Sequence, residues 1–219
     1  MSDIFREVDE EVRQDQAIAF WNKYQNLIVA LAALAIVVAG GWRYWQYRQQ
    51  QAASAADQRY QAAALLSRDG KTDEALKEFD ALAKEAPRGY AMLSRMRAAA
   101  EAAVKDKAAG VKAFDALASD SSADPLFRDV ARLRAAMLRV DDADRKEMED
   151  RLTPLAAAGA AFRSSARELL ALVAIRDNDF DTAGKWLDEI VTDNDAPATL
   201  KQRADAFLGI VRSDRQPGK

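Results

Sequence analysis

The sequence predicts an all-α protein: one N-terminal transmembrane helix, then an array of about four helix pairs closed by a C-terminal capping helix. Three observations carry that expectation. Residues 24–42, YQNLIVALAALAIVVAGGW, form the one long segment without a charged side chain. The chain is rich in Ala, with 9 Gly and 5 Pro in 219 residues, a balance that favours helix over strand and turn. Finally, the word Phe79-Asp80-Ala81-Leu82-Ala83 returns unchanged as Phe114-Asp115-Ala116-Leu117-Ala118, 35 positions later.

Residues 1–23 read as an acidic N-terminal tail. Within 2–14, Ile4, Phe5, Val8 and Val12 share one face of a short amphipathic helix that Ser2 would cap, opposite an acidic face. An acidic face is repelled by anionic lipid, so a surface-lying membrane helix is disfavoured. Two readings stay open: a solvated, frayed tail, or a docking helix for a basic partner surface.

Residues 24–47 read as the transmembrane helix with its aromatic belt. As a helix, residues 24–42 reach roughly 28 Å, just enough for a hydrocarbon layer of about 30 Å. The eight residues Leu27, Ile28, Val29, Leu31, Leu34, Ile36, Val37 and Val38 favour insertion by roughly 3 kcal/mol together. Trp21 and Tyr24 stand at one end and Trp42, Tyr44, Trp45 and Tyr47 at the other, where amphipathic rings prefer the headgroup level. Lys23 and Arg43 bracket the span as snorkelling charges. Two other readings compete: a signal peptide, whose basic leader is missing here, and the buried helix of a soluble protein, which rarely carries aromatic belts at both ends. Ala35 and Ala39, with Gly40 and Gly41, would let a neighbouring helix approach closely. No Pro or Gly follows before Gly70, so the helix is expected to run on into the distal domain.

Residues 48–212 carry the repeat. The pairs Phe79 with Leu82 and Phe114 with Leu117 are followed by weaker copies, Leu152 with Leu155 and Leu187 with Ile190, at spacings of 35, 38 and 35. Four residues before these anchors stand Ala75, Gly110, Met148 and Ala183, and fourteen before them, on the preceding helix, Leu65, Ala100, Leu138 and Val173. Turn signals separate the helices of a pair at Asp69-Gly70, Asp141-Asp142 and Asp177-Asn178-Asp179, and Pro87, Pro125 and Pro197 mark ends of pairs. Pro154, inside the third pair's second helix, predicts that this helix is kinked or short. Residues 198–212 place Leu200, Ala204, Phe207, Leu208 and Val211 on one face, as a capping helix needs. Residues 213–219 read as a disordered tail.

A helix-turn-helix of about 34 residues, with a small residue at the crossing, an anchor four on and a closing Pro, resembles the tetratricopeptide repeat. Ala63, Leu66, Gly70, Ala75, Phe79, Leu82 and Pro87 show it best. The 38-residue spacing and Pro154 depart from a regular array.

The chain has no Cys and no His, which removes zinc sites, thiol chemistry, haem ligation by His and His-dependent nucleophiles. Carboxylate-only or Lys-based chemistry remains formally open. The acids Asp141, Asp142 and Asp144, and Asp177, Asp179 and Asp181, read as turn formers and helix caps. The second set lacks the Gly and closing Glu of an EF-hand. No enzyme activity, cofactor or metal is therefore expected. Beyond the span the chain has 29 acids and 29 bases, a neutral balance without the footprint of a nucleic-acid binder. Tyr60, Tyr90, Arg95 and Glu168 are open to a groove reading, but packing or solvent exposure is expected for most of them, and no partner-contacting residue of the array is named from sequence.

The span ending in Gly41-Trp42-Arg43-Tyr44-Trp45, the Gln/Ala-rich helix leading to Arg59-Tyr60-Gln61-Ala62-Ala63, and the start SDIFREVDEEV together resemble one family. It is the ancillary subunit of the bacterial Sec translocon, in its alphaproteobacterial form. The resemblance implies an inner-membrane protein with a cytoplasmic N-terminus and a periplasmic repeat domain. It also implies as partners the Sec translocon, a membrane-anchored periplasmic chaperone and exported polypeptides. Charge alone leaves the orientation tied, with Arg13 and Lys23 on one side of the span against Arg43 and Arg48 on the other. The expected function is a non-enzymatic adaptor. A tethered scaffold for envelope or division machinery is the alternative, since the fold does not fix the partner.

Overall fold

A computed structural model describes residues 2–214, with side chains for 18, 20–27 and 29–213. The described residues form nine α-helices and no strand: α1 (Ser2–Arg68), α2 (Thr72–Glu85), α3 (Arg88–Lys105), α4 (Lys107–Ala118), α5 (Pro125–Arg139), α6 (Arg145–Ala156), α7 (Arg163–Arg176), α8 (Phe180–Val191) and α9 (Ala198–Asp214). The chain divides into two compact units, Met1–Ser54 and Ala55–Lys219.

The first unit is helix. Its backbone is helical from Ser2, while the side chains of the acidic stretch 2–14 lie outside the described residues. Every described side chain from Leu27 to Val38 is exposed, Ile36 at 73% and Val29 at 62%. This is the one helix, among the described residues, long and apolar enough to cross a membrane, and none of that apolar window is buried inside the protein. A core helix of a soluble protein would be mostly covered, so that reading fails here.

The second unit is a stack of helix pairs: residues 55–68 with α2, α3 with α4, α5 with α6, and α7 with α8. Phe79, Phe114, Leu152 and Leu187 each occupy the eighth position of their helix, and Ala75, Gly110, Met148 and Ala183 the fourth. All eight are buried. Each pair therefore presents the same face at the same depth, the condition for stacking by nearest-neighbour contacts.

Four core clusters follow, each drawn from the two helices of a pair and the first helix of the next. Phe79 and Leu82 pack with Ala63 of α1 and Ala98 of α3. Phe114 and Leu117 pack with Ala99 of α3 and with Ala131 and Ala135 of α5. Leu152 and Leu155 meet Ala136 of α5 and Leu169 and Val173 of α7. Leu187 and Ile190 meet Ala171 of α7 and, in place of a fifth pair, Ala204, Leu208 and Val211 of α9. Helix α9 thus covers the last apolar edge, as a capping helix must.

Local chemistry explains the boundaries. Asp106, Asp124, Asp144 and Asp179 cap α4, α5, α6 and α8 by accepting from the backbone N–H of Ala108, Leu126, Glu147 and Thr182, at 2.7 to 3.0 Å. Pro125 fills the first position of α5, where no N–H is needed. Gly70 (φ 75°) and Asn178 (φ 61°) take the left-handed conformation that ends α1 and α7, one that Gly and Asn tolerate best.

Two expectations need adjustment, and the rows of the array can be refined. The residues fourteen before each anchor lie on the preceding helix, as expected, but differ in depth: Val173 is buried, Ala100 and Leu138 are half-buried, and Leu65 is 56% exposed. The buried row lies two residues earlier, at Ala63, Ala98, Ala136 and Ala171. That sixteen-residue interval is constant, so the extra three residues of the 38-residue spacing fall between the second and third pairs, in the stretch from Phe114 to Ala136. Helix α6 is not shortened by Pro154: at 12 residues it matches α4 and α8, and it continues past the ring to Ala156. Of the expected tail, Ser213 and Asp214 still belong to α9, and 215–219 lie outside the described residues.

Candidate partner-binding surface

Charged side chains first bind the pairs to one another, at close to the repeat period. Arg151 of α6 forks onto Asp115 of α4 (2.5 and 3.0 Å), Arg145 of α6 reaches Asp179 (2.7 Å), and Lys107 of α4 reaches Asp142 (3.0 Å). Within the fourth pair, Arg163 of α7 forks onto Asp193 just after α8 (2.6 and 2.9 Å) and touches Asp195. Because side chains one repeat apart stack in neighbouring pairs, residues separated by 34 to 36 positions meet. Three carboxyls of the array lie well below the usual carboxylate range. Asp193 is held at about 2 by Arg163. Asp179 is held at about 2 by the Thr182 backbone N–H and then by Arg145. Asp120 is held at about 2 by the Ser122 hydroxyl and then by Arg95.

Two clefts border this network. One, of about 540 Å³, runs beside Asp115, Arg132, Glu147 and Arg151; the other, of about 580 Å³, beside Lys107, Lys112, Asp115 and Asp142. Most of their charges already face an opposite charge within the protein, as Arg151 does Asp115 and Glu147. An incoming group would have to displace those pairs.

A third cleft is different in kind. It lies between the first helices of two successive pairs, α3 and α5, with Phe114 of α4 beside it, and has a volume of about 540 Å³. Met96, Ala100, Ala103 and Val104 line one wall and Val130, Met137 and Leu138 the other. Val104 is 73% exposed and Met137 48%. Among the described residues, the charged side chains lining it are Arg97 and Arg134, with no acid. Arg97 lies 5.7 Å from the ring centre of Phe79, within cation–π range. Neither arginine has an ion pair or a hydrogen bond among the described residues.

The four groove candidates are otherwise engaged. Tyr60 packs edge-on against Phe79 (5.4 Å) and Tyr90 (6.1 Å), and the Tyr90 hydroxyl donates to Asp57, which raises its pKa. Arg95 pairs with Asp120 at 2.7 Å, and Glu168 accepts both arms of Arg203 at 2.7 and 2.6 Å. Sequence reasoning passed over Arg97 and Arg134, because what marks them is the lack of an acidic partner among the described residues. Ala100 and Leu138, two of the residues fourteen before an anchor, were the available signal, since both line this cleft.

In the first unit, Trp21, Lys23, Trp42, Arg43, Tyr44 and Trp45 are exposed and Tyr24 is half-buried. The Lys23 ammonium lies 5.2 Å from the Tyr24 ring, and the Trp42 and Trp45 rings are 5.5 Å apart.

Among the described residues no group of three or more Asp or Glu is arranged to hold a metal ion. A stack of packed pairs with open, non-converging clefts defines a protein-binding repeat. The tetratricopeptide repeat-like domain family matches residues 19–185, three quarters of the chain, and the chain belongs to that family. No curated protein and no solved structure matches it. The protein is a non-enzymatic helical-repeat binding module with one candidate membrane-spanning helix.

Proposed function

We propose that the chain is a membrane-anchored adaptor of the bacterial inner membrane, with its N-terminus cytoplasmic and its repeat domain periplasmic. It sits beside the Sec translocon and holds a periplasmic chaperone or an emerging polypeptide near the exit. The observation that carries this reading is the exposed apolar stretch of α1 on the same chain as a repeat array of protein-binding type. The family match begins at residue 19, ahead of that stretch, so the helix belongs to the shared architecture, which favours a retained anchor over a cleaved leader. Trp21, Tyr24, Trp42, Tyr44 and Trp45 serve as interfacial anchors, with Lys23 and Arg43 snorkelling. The partners follow from the resemblance of the segment between Gly40 and Ala63 and of the acidic start to the translocon's ancillary subunit. Ala75, Phe79, Leu82, Phe114, Leu117, Leu152, Leu155, Ala183, Leu187 and Ile190 act as the packing anchors that keep the array rigid enough to present a surface. Photocrosslinkers placed from Trp42 to Trp45 in native membranes test the reading. Capture of translocon subunits is expected; capture of cell-wall synthases in their place would assign the chain to envelope assembly instead.

A further inference from the structure

We propose that the cleft between α3 and α5 is the docking site for a segment of polypeptide in which bulky apolar side chains flank a carboxylate. The proposal rests on the adaptor reading and names the chemistry of what the array holds. Val104 and Met137 leave apolar surface open to water, whereas in the two charged clefts most charges are paired within the protein, and Leu138 and Phe114 extend that surface inward. Apolar area of this kind gains from being covered. The charge at the site has one sign: Arg97 and Arg134 line it, and no acid does. Most Arg side chains of the array spend their donors on carboxylates, as Arg139, Arg145, Arg151 and Arg163 do. These two have donors left over beside an apolar wall, where a charge-assisted bond to an incoming acid is stronger than in open water. A basic segment is repelled and a purely apolar one leaves both guanidinium groups unsatisfied, so the cleft selects for acid beside apolar.

The test uses the full chain in a neutral detergent and two fluorescein-labelled peptides of leucine and phenylalanine, one with central aspartates and one with lysines in their place. Anisotropy is expected to show the aspartate peptide bound tighter by roughly tenfold or more. Arg134→Glu should abolish or reverse that preference, and Val104→Gln should weaken binding of the aspartate peptide. Both positions are exposed, and circular dichroism checks that each variant keeps its helix. Lys77→Glu makes the same charge change at an exposed site on α2 and should alter nothing. Equal affinity for the two peptides, wild-type affinity in Arg134→Glu, or binding of short-chain phosphatidylglycerol with neither peptide bound would each overturn the assignment. If the peptides bind without regard to Arg134, the cleft is wrong and the adaptor reading stands. The adaptor reading fails separately, through the crosslinking from Trp42 to Trp45.

Discussion

Gly110 lies where α3 and α4 approach closely, and it makes a prediction whose sign runs against helix propensity. Gly110 is the fourth residue of α4, buried against α3. A Cβ there would overlap the Cβ of Ala103 and stand 2.5 Å from its Cα and 2.9 Å from its backbone nitrogen. Two of those three atoms are backbone, so relief requires moving one helix against the other. Overpacking of this kind costs about 3 kcal/mol at the upper end of its usual range, offset by about 1 kcal/mol for replacing Gly with Ala inside a helix. The net loss of about 2 kcal/mol lowers the melting temperature by roughly 4–8 °C for a domain of this size. Gly209→Ala is the matched control, since a Cβ there meets nothing within 4 Å; it should raise the melting temperature by roughly 2–4 °C. Thermal unfolding of the full chain in mild detergent, followed by far-UV circular dichroism, separates the two. An unchanged or raised transition in Gly110→Ala would refute the close-crossing account of the second pair.

Other predictions follow from the same geometry. Phe79→Ala removes a fully buried ring from the first core cluster and should cost about 3–5 kcal/mol, read from denaturant unfolding. Asp144→Ala removes the cap of α6 and should cost about 0.5–2 kcal/mol, with faster amide exchange at the start of that helix. Asp120, Asp179 and Asp193 have native pKa values of about 2, below the unfolded value of about 3.9. Their contribution is therefore fully present above about pH 4 and is lost as the pH falls towards 2, so the melting temperature should drop across that window. Asp193→Asn should make the drop shallower.

Much of the array was legible because repetition is a strong signal. The FDALA word placed two anchors, the turn acids and prolines bounded the helices, and weaker Leu and Ile pairs located the other two repeats. The alanine row at Ala63, Ala98, Ala136 and Ala171 was not legible as a row, because in an Ala-rich chain one more Ala distinguishes nothing until burial picks it out. The row two residues later, Leu65, Ala100, Leu138 and Val173, has the bulkier side chain at three of its four positions, although Leu65 faces out. Pro154 predicts a kinked or short helix, yet α6 keeps the 12 residues of its counterparts, because the burial of Met148, Leu152, Leu155 and Ala156 outweighs the one backbone bond the ring removes. The cleft's arginines were hidden more deeply. Sequence shows charges in abundance, but which of them lack a partner depends on side chains 30 or more positions away.

The central claim is that lipid covers the apolar stretch from Leu27 to Val38 and so tethers the repeat array to a membrane. Alkaline carbonate extraction of membranes carrying the full chain tests it most directly. Retention in the pellet, with release only by detergent, is the predicted result; recovery of the intact chain in the carbonate supernatant would contradict it.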